Sequence, residues 1–559
     1  MNQAPFSRIA KNWWKESIVY QIYPRSFMDS NNDGIGDLKG IISKLGYLKE
    51  LGIDVIWICP VYKSPNDDNG YDISDYQSIM AEFGTMADFD QLLSEVHRHG
   101  MRLIIDLVVN HTSDEHPWFI ESRSSRDNEK RDWYIWRDGH DGKEPNNWEA
   151  IFKGSAWEYD EKTQQYFMHL FTARQPDLNW ENQHMRNSIY LMMRWWLDKG
   201  IDGFRIDAIC HMKKDPLLSD MPNPQGLPFV ASFEKHMNYD GLLDYVDDMS
   251  NNVFRYYDIM TVGEVNGVSS TQAEEWVGEN YGRLNMIFQF EHVRLWDIDK
   301  GLPLDISVLK DIFTRWQSAL EGKGWNALYL ENHDVTRVTS RWGDVGRYWR
   351  ESATAIAAMY FLMQGTPFIY QGQEIGMTNS QFSSLNDFQD VSAKNLYEEL
   401  RRQGMTDRES ISILARTGRD NSRTPMQWNA GPNAGFSQAT PWLAVNENYP
   451  VVNVALQQRD PGSVLNFYRA LIRLRKKEQA LVYGHYELVL AEHKHIYAYT
   501  RTLDEDRIVV LCNLSGTTAA YEWDDISTLV RTLLLTNSSS SKENGVLTPW
   551  ETRIYRLIK

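Results

Sequence analysis

Eight short apolar runs, each breaking off in polar residues, recur along this chain and limit the folds open to it. They are SIVYQIYPRSF (17–27), DVIWICPVY (54–62), RLIIDLVVNH (102–111), GFRID (203–207), DIMTVGE (258–264), LNMIFQF (284–290), NALYLENHD (326–334) and TPFIYQGQE (366–374). A strand apolar along its whole length belongs in a parallel sheet covered on both faces. Amphipathic stretches separate many of the runs, such as DLKGIISKLGYLKELG (37–52) and MADFDQLLSEVHRHG (86–100). Strand and helix alternating through eight strands predict an α/β protein built on a (β/α)8 TIM barrel.

A barrel does not need all 559 residues. The connection after the third run, 112–181, is rich in Trp, Asp, Gly and Asn and contains strand-like pieces such as QQYFMHLF. It reads as a small domain inserted at the barrel mouth. A second insertion, at about 375–450, follows the eighth run. From about residue 482 the pattern alternates in short strands (HYELVL, HIYAYTR, RIVVLCNL, TRIYRLI), as in an antiparallel β-sandwich. The expected domains are a barrel over 1–111 and 182–481, the insert over 112–181 and the sandwich over 482–559. SSSSK (538–542) is the one low-complexity patch and is expected to be a loop.

Composition narrows the function. A formal net charge of −18 disfavours nucleic acid and anionic membranes as partners. No long apolar run is present, and the opening MNQAPFSRIAKNWWKES lacks the apolar core of a secretion signal. Cys59, Cys210 and Cys512 are too few and too scattered for a disulfide framework or a metal motif. A cytoplasmic protein, monomeric or a small homo-oligomer, is expected. The 21 Trp, 28 Tyr and 21 Phe fill a large core and are also compatible with stacking on sugar rings.

In a parallel barrel the C-terminal strand ends converge on one mouth. Asp207, Glu264 and Asp334 stand at such ends, as does His111. Paired carboxyl groups flanking a bond are the equipment of glycoside hydrolysis. Arg205 and Asp207 lie two positions apart on one strand and so face the same side. The guanidinium is expected to lower the pKa of Asp207, which suits a nucleophile, although a purely structural ion pair would have the same spacing.

Four ordered segments, DLVVNH (106–111), GFRIDAI (203–209), GEV (263–265) and ENHD (331–334), resemble the signatures of the α-amylase family of glycoside hydrolases. QPDLNW (175–180) resembles a further signature of its α-glucosidase and oligo-1,6-glucosidase branch. The likeness runs from WWKESIVYQIYPRSF to RDNSRTPMQW (419–428). It implies Asp207 as nucleophile, Glu264 as general acid/base and Asp334 as the acid that holds sugar hydroxyls. It implies His111, Arg205 and His333 around the terminal glucose, Asp68 and Tyr71 as the pair that recognises and stacks on it, and Gln175 nearby. Arg419, or in its place Arg423, would pair with the glucose-binding aspartate.

The stretch DSNNDGIGD (29–37) sets Asp29, Asn31, Asp33 and Asp37 around Gly34, like the first part of a calcium loop. Position twelve of an EF-hand would be Gly40, so it is not one. The resemblance implies a structural Ca2+ or Mg2+ there, with the Ile35 carbonyl as a further ligand.

The implied activity is a retaining, exo-acting α-glucosidase on small oligosaccharides. In this branch the residue after the nucleophile accompanies linkage choice, and Ala208 implies α-1,4 over α-1,6. The alternatives are an oligo-1,6-glucosidase, or a transglucosylase or sucrose isomerase working through the same intermediate. A non-catalytic, transporter-subunit-like barrel is disfavoured, because all three acids are present and no membrane anchor is seen.

Overall fold

A computed structural model describes residues 12–295, 304–524, 529–538 and 545–558. Residues 1–11 of the opening segment and 539–542 of the serine patch lie outside the described residues. The eight predicted runs each contribute a barrel strand: β1 (Val19–Ile22), β2 (Val55–Ile58), β3 (Arg102–Val108), β4 (Gly203–Asp207), β5 (Met260–Glu264), β6 (Met286–Phe288), β7 (Ala327–Leu328) and β8 (Thr366–Tyr370). They pair in parallel in the order β6-β5-β4-β3-β2-β1-β8-β7. Among the described residues no ladder joins β6 to β7. Side chains close that seam: the Tyr329 hydroxyl donates to the Gln289 carbonyl at 2.6 Å, and its ring meets Phe288 edge-on at 4.9 Å.

Both faces of the strands are buried, which is why their sequences read as continuous apolar runs. Val19, Val55, Trp57, Ile104, Val262, Phe288 and Phe368 fill the barrel interior. Tyr20, Ile56, Leu103, Ile105, Phe204 and Ile206 pack outward against the helices. The helices start on side-chain caps: Thr85 and Asp88 form a capping box for Met86–Arg98, and Asn182 caps Gln183–Lys199. Gly203 opens β4 at φ +145°, where a Cβ would sit 1.9 Å from the Met260 carbonyl oxygen. Only glycine permits that approach of β4 to β5, the two strands that end in Asp207 and Glu264.

The segment after β3 forms an antiparallel sheet of Trp136–Arg137, Gln165–Met168 and Trp157–Asp160. Its Trp148–Glu149 strand pairs with Val230–Ala231, which comes from the loop after β4. Lys214 of that same loop makes a buried ion pair with Asp177 at 2.7 Å. The segment after β8 carries helices Val391–Arg402 and Asp407–Thr417 around Phe382, Phe388, Ile411 and Leu414. A five-stranded antiparallel sheet begins at His485 and stacks with a two-stranded one over Val489, Val509, Leu511 and Leu547. Its other face meets the barrel, where the Tyr499 hydroxyl donates to the Met359 carbonyl at 3.0 Å.

Candidate active site

The arginine inside β4 is the hub of a carboxylate cluster. Arg205 Nη1 lies 2.6 Å from Asp106 and 2.6 Å from Asp207, and Nη2 lies 2.8 Å from Glu264. Strand register produces this, since Arg205 sits directly beside Asp106 of β3 and Val262 of β5. Asp106 is further fixed by the Trp57 indole N–H at 2.8 Å. Glu264 accepts the backbone N–H of Ala208 at 3.1 Å. Ala208 holds a left-handed conformation, with φ +45° and ψ 28°, which is rare for a residue with a Cβ.

Burial drives the pKa of Asp207 up to about 6, against the pull of Arg205. The guanidinium acts in the expected direction, but desolvation outweighs it. Burial also raises Glu264, to about 7; Arg205 opposes this, while Asp207 and Asp334 add to it. Burial would raise Asp334 as well, yet His333, Arg419 and Arg423 together hold it well below the usual carboxylate range.

Asp334 reaches His333 Nε2 at 3.1 Å, Arg419 at 3.1 Å and Arg423 at 2.8 Å. Both candidate arginines therefore meet the third acid. Arg419 alone also reaches Asp68, at 3.2 Å, and it is clamped by Asp390 at 2.5 and 2.9 Å. Gln175 donates to Asp68 at 3.1 Å and lies 3.1 Å from His111 Nε2. His111 also lies 3.1 Å from the Tyr71 carbonyl oxygen. The Tyr71 ring stacks on His333 at 5.1 Å and 2°. The fold thus gathers Asp68, Tyr71, His111, Gln175, Arg205, Asp207, Ala208, Glu264, His333, Asp334 and Arg419 around one mouth. Asp68 ties Arg419 and Gln175 together at the loop after β2.

Sequence reasoning did not single out Asp106 or Asp390. Asp106 opens the DLVVNH segment and had a usable signal, because it lies on the strand next to Arg205. Asp390 lies in the insertion after β8 and had none.

The loop at 29–37 lies apart from this cluster. Asp29 Oδ1 accepts the N–H groups of Asn31 and Asn32 at 3.0 and 2.7 Å. Its Oδ2 accepts the Gly34 N–H at 2.8 Å and the Ser437 hydroxyl at 2.5 Å. Asp37 accepts from Ser30 and Gly40, and Asp33 from Ile35 and Asn31. The donors are hard oxygens, the kind Ca2+ takes, but they are committed to the loop's own hydrogen bonds. Among the described residues no three His, Cys, Asp or Glu side chains form a ready metal cage.

A parallel barrel with three carboxylates at its C-terminal mouth defines a glycoside hydrolase of the α-amylase type. The chain belongs to that family: the model of the alpha-amylase catalytic domain matches residues 21–484. It is 57% identical over 549 residues to the probable oligo-1,6-glucosidase 3 of Bacillus subtilis (strain 168), covering 98% of this chain and 99% of that one. It is 51% identical to the oligo-1,6-glucosidase of Parageobacillus thermoglucosidasius, with coverage of 98% and 99%. The solved isomaltulose synthase of Erwinia rhapontici NX5 superposes with a TM-score of 0.94 at 42% identity, covering 99% of this chain and 100% of that one.

Proposed function

We propose that the protein is a retaining, exo-acting α-glucosidase that removes terminal α-1,4-linked glucose from maltose and short oligosaccharides. The observation that carries the reading is the single guanidinium of Arg205 holding Asp207 and Glu264 together at the strand ends. Such a bridge favours the closer of the two carboxyl spacings known for glycosidases, roughly 5–5.5 Å, which leaves no room for an attacking water between acid and sugar. Asp207 attacks the anomeric carbon while Glu264 protonates the departing oxygen. Glu264 then takes a proton from the incoming water or sugar hydroxyl, and the glucose leaves with its α configuration retained. Asp334, fixed by two arginines, is placed to hold sugar hydroxyls. The Asp68–Arg419 pair would close one side of the mouth and leave a pocket that admits only a chain end. Transfer to a sugar acceptor uses the same intermediate.

The pH dependence follows from the two burial shifts. kcat/KM should rise as Asp207 ionises, around pH about 6, and fall as Glu264 loses its proton, around pH about 7. The two limbs belong to the coupled pair rather than to either residue alone. A pH–rate profile with no decline above neutrality would remove Glu264 from the acid's role.

Linkage choice is the finer claim. The names of the relatives favour a second reading, cleavage of α-1,6 links, while Ala208 favours α-1,4. A small side chain beside the nucleophile leaves space on the aglycone side, and small apolar differences in a pocket decide about 1–3 kcal/mol. Product analysis on maltose, isomaltose and sucrose separates the readings: the proposal requires maltose to be preferred and sucrose not to be isomerised. Ala208→Val should shift the kcat/KM ratio toward isomaltose. Absolute rates should fall too, because a β-branched residue is strained at φ +45°. An unchanged ratio would detach Ala208 from linkage choice.

A structural Ca2+ at Asp29, Asn31, Asp33, the Ile35 carbonyl and Asp37 is part of the proposal. It would pin the loop after β1 and supply no chemistry to the site. A bound ion stabilises the folded state by mass action, so chelator should lower Tm and Asp29→Ala should reproduce the loss. Chelator should then have no further effect on the Asp29→Ala variant. A Tm indifferent to chelator would leave the loop held by its own hydrogen bonds.

A further inference from the structure

Gln21, on the inward face of β1, has no part in the chemistry described so far. Its side chain is buried, and its amide nitrogen lies 2.8 Å from His333 Nδ1 and 3.2 Å from the Cys59 sulfur. The other nitrogen of His333, Nε2, lies 3.1 Å from Asp334 Oδ2. The contact is close but not aligned as a hydrogen bond, so it does not by itself set the tautomer, and the Gln21 contact on Nδ1 is the one that can. Burial disfavours the imidazolium of His333, against the pull of Asp334, and a neutral ring that accepts the Gln21 amide N–H on Nδ1 carries its hydrogen on Nε2. The ring cannot swing away, because Tyr71 stacks on it at 5.1 Å and Tyr23 at 6.1 Å, with Trp57 edge-on at 6.3 Å. The charged groups facing it are Asp334, Arg205 and Arg423.

We propose that Gln21 is a positioning residue that locks His333 as the Nε2–H tautomer, so that the ring turns an N–H rather than a lone pair toward Asp334, 3.1 Å away at the mouth. The inference rests on the proposed role of Asp334, but its first test does not need turnover. Nitrogen NMR on the full-length enzyme with labelled histidine should show His333 protonated on Nε2 alone, its signals identified by their loss in a His333→Gln variant. Gln21→Glu keeps the shape and replaces the donor with an acceptor. Acceptors on both ring nitrogens favour the imidazolium, so this variant should show His333 protonated on both. Gln21→Met removes the donor and should give a mixture of tautomers. Each variant should lose roughly ten- to a hundredfold in kcat/KM, the equivalent of one lost buried hydrogen bond, carried mainly by kcat. A wild-type ring protonated on Nδ1 overturns the proposal without any variant. So does a Gln21→Glu or Gln21→Met enzyme that melts earlier yet keeps the wild-type tautomer, for then Gln21 only packs. Absence of glucosidase activity with the predicted tautomers intact would refute the proposed function and leave this inference standing.

Discussion

Asp207→Ala is expected to lower turnover of maltose by roughly three orders of magnitude or more while leaving the fold intact. The fold should survive because Arg205 keeps two of its three partners, Asp106 and Glu264. Glu264→Gln should be comparably slow on natural sugars, and less so on aryl glucosides whose leaving group needs no proton. Azide should restore bond cleavage to Asp207→Gly, giving a product with the inverted, β configuration, since a small anion then attacks where the carboxylate stood. The wild-type enzyme should release α-glucose first, read by proton NMR in the opening minutes. β-Glucose as the first product would end the double-displacement reading, and a fully active Asp207→Ala enzyme would remove Asp207 from it.

The largest stability effect should come from Arg205→Met. Arg205 is 1% exposed and serves Asp106, Asp207 and Glu264 at once. Removing one member of a buried ion pair typically costs about 3–5 kcal/mol, because the other charge is left uncompensated. The sign of the pH dependence is determined. Without the guanidinium, the folded-state pKa values of Asp207 and Glu264 climb above the about 6 and about 7 they have with it. A carboxyl whose folded pKa exceeds its unfolded one contributes stability at low pH that is lost as pH rises through the folded value. The deficit of the variant should therefore be small near the ordinary carboxylate range and grow through neutrality. Denaturant unfolding at mildly acidic and neutral pH measures it. A deficit independent of pH would mean that Arg205 contributes packing rather than charge.

The barrel was legible because each strand is buried on both faces, so eight uninterrupted apolar runs stood out against amphipathic helices. The departures have physical causes. NALYLENHD reads as a full strand, yet only Ala327–Leu328 joins a ladder. The β6–β7 seam is closed by Tyr329 and Phe288 side chains, which leave no backbone pattern. The left-handed turn at Ala208 was invisible, since alanine carries no signal for positive φ. Carboxylates at strand ends were legible from position alone. Asp390, which grips Arg419 from a helical insertion, was not, and neither was the Val230–Ala231 strand that completes the inserted domain. Such contacts depend on how distant segments meet, and no local period records them.

The Asp68–Arg419 pair bears on how the protein is made. Asp68 meets Arg419 across 351 residues, and Gln21 meets His333 across 312. Contacts so remote along the chain are slow to form, since long loops must close before they are rewarded. A growing chain that has delivered all eight barrel strands, ending at Tyr370, still lacks the arginines at 419 and 423. Its acids would lack the Asp68–Arg419 contact, and Asp334 would keep only His333 beside it. A chain stopped at Tyr370 is therefore expected to be inactive, and a nick in the 375–418 stretch that lets the following segment drift should separate Arg419 and Arg423 from Asp68 and Asp334.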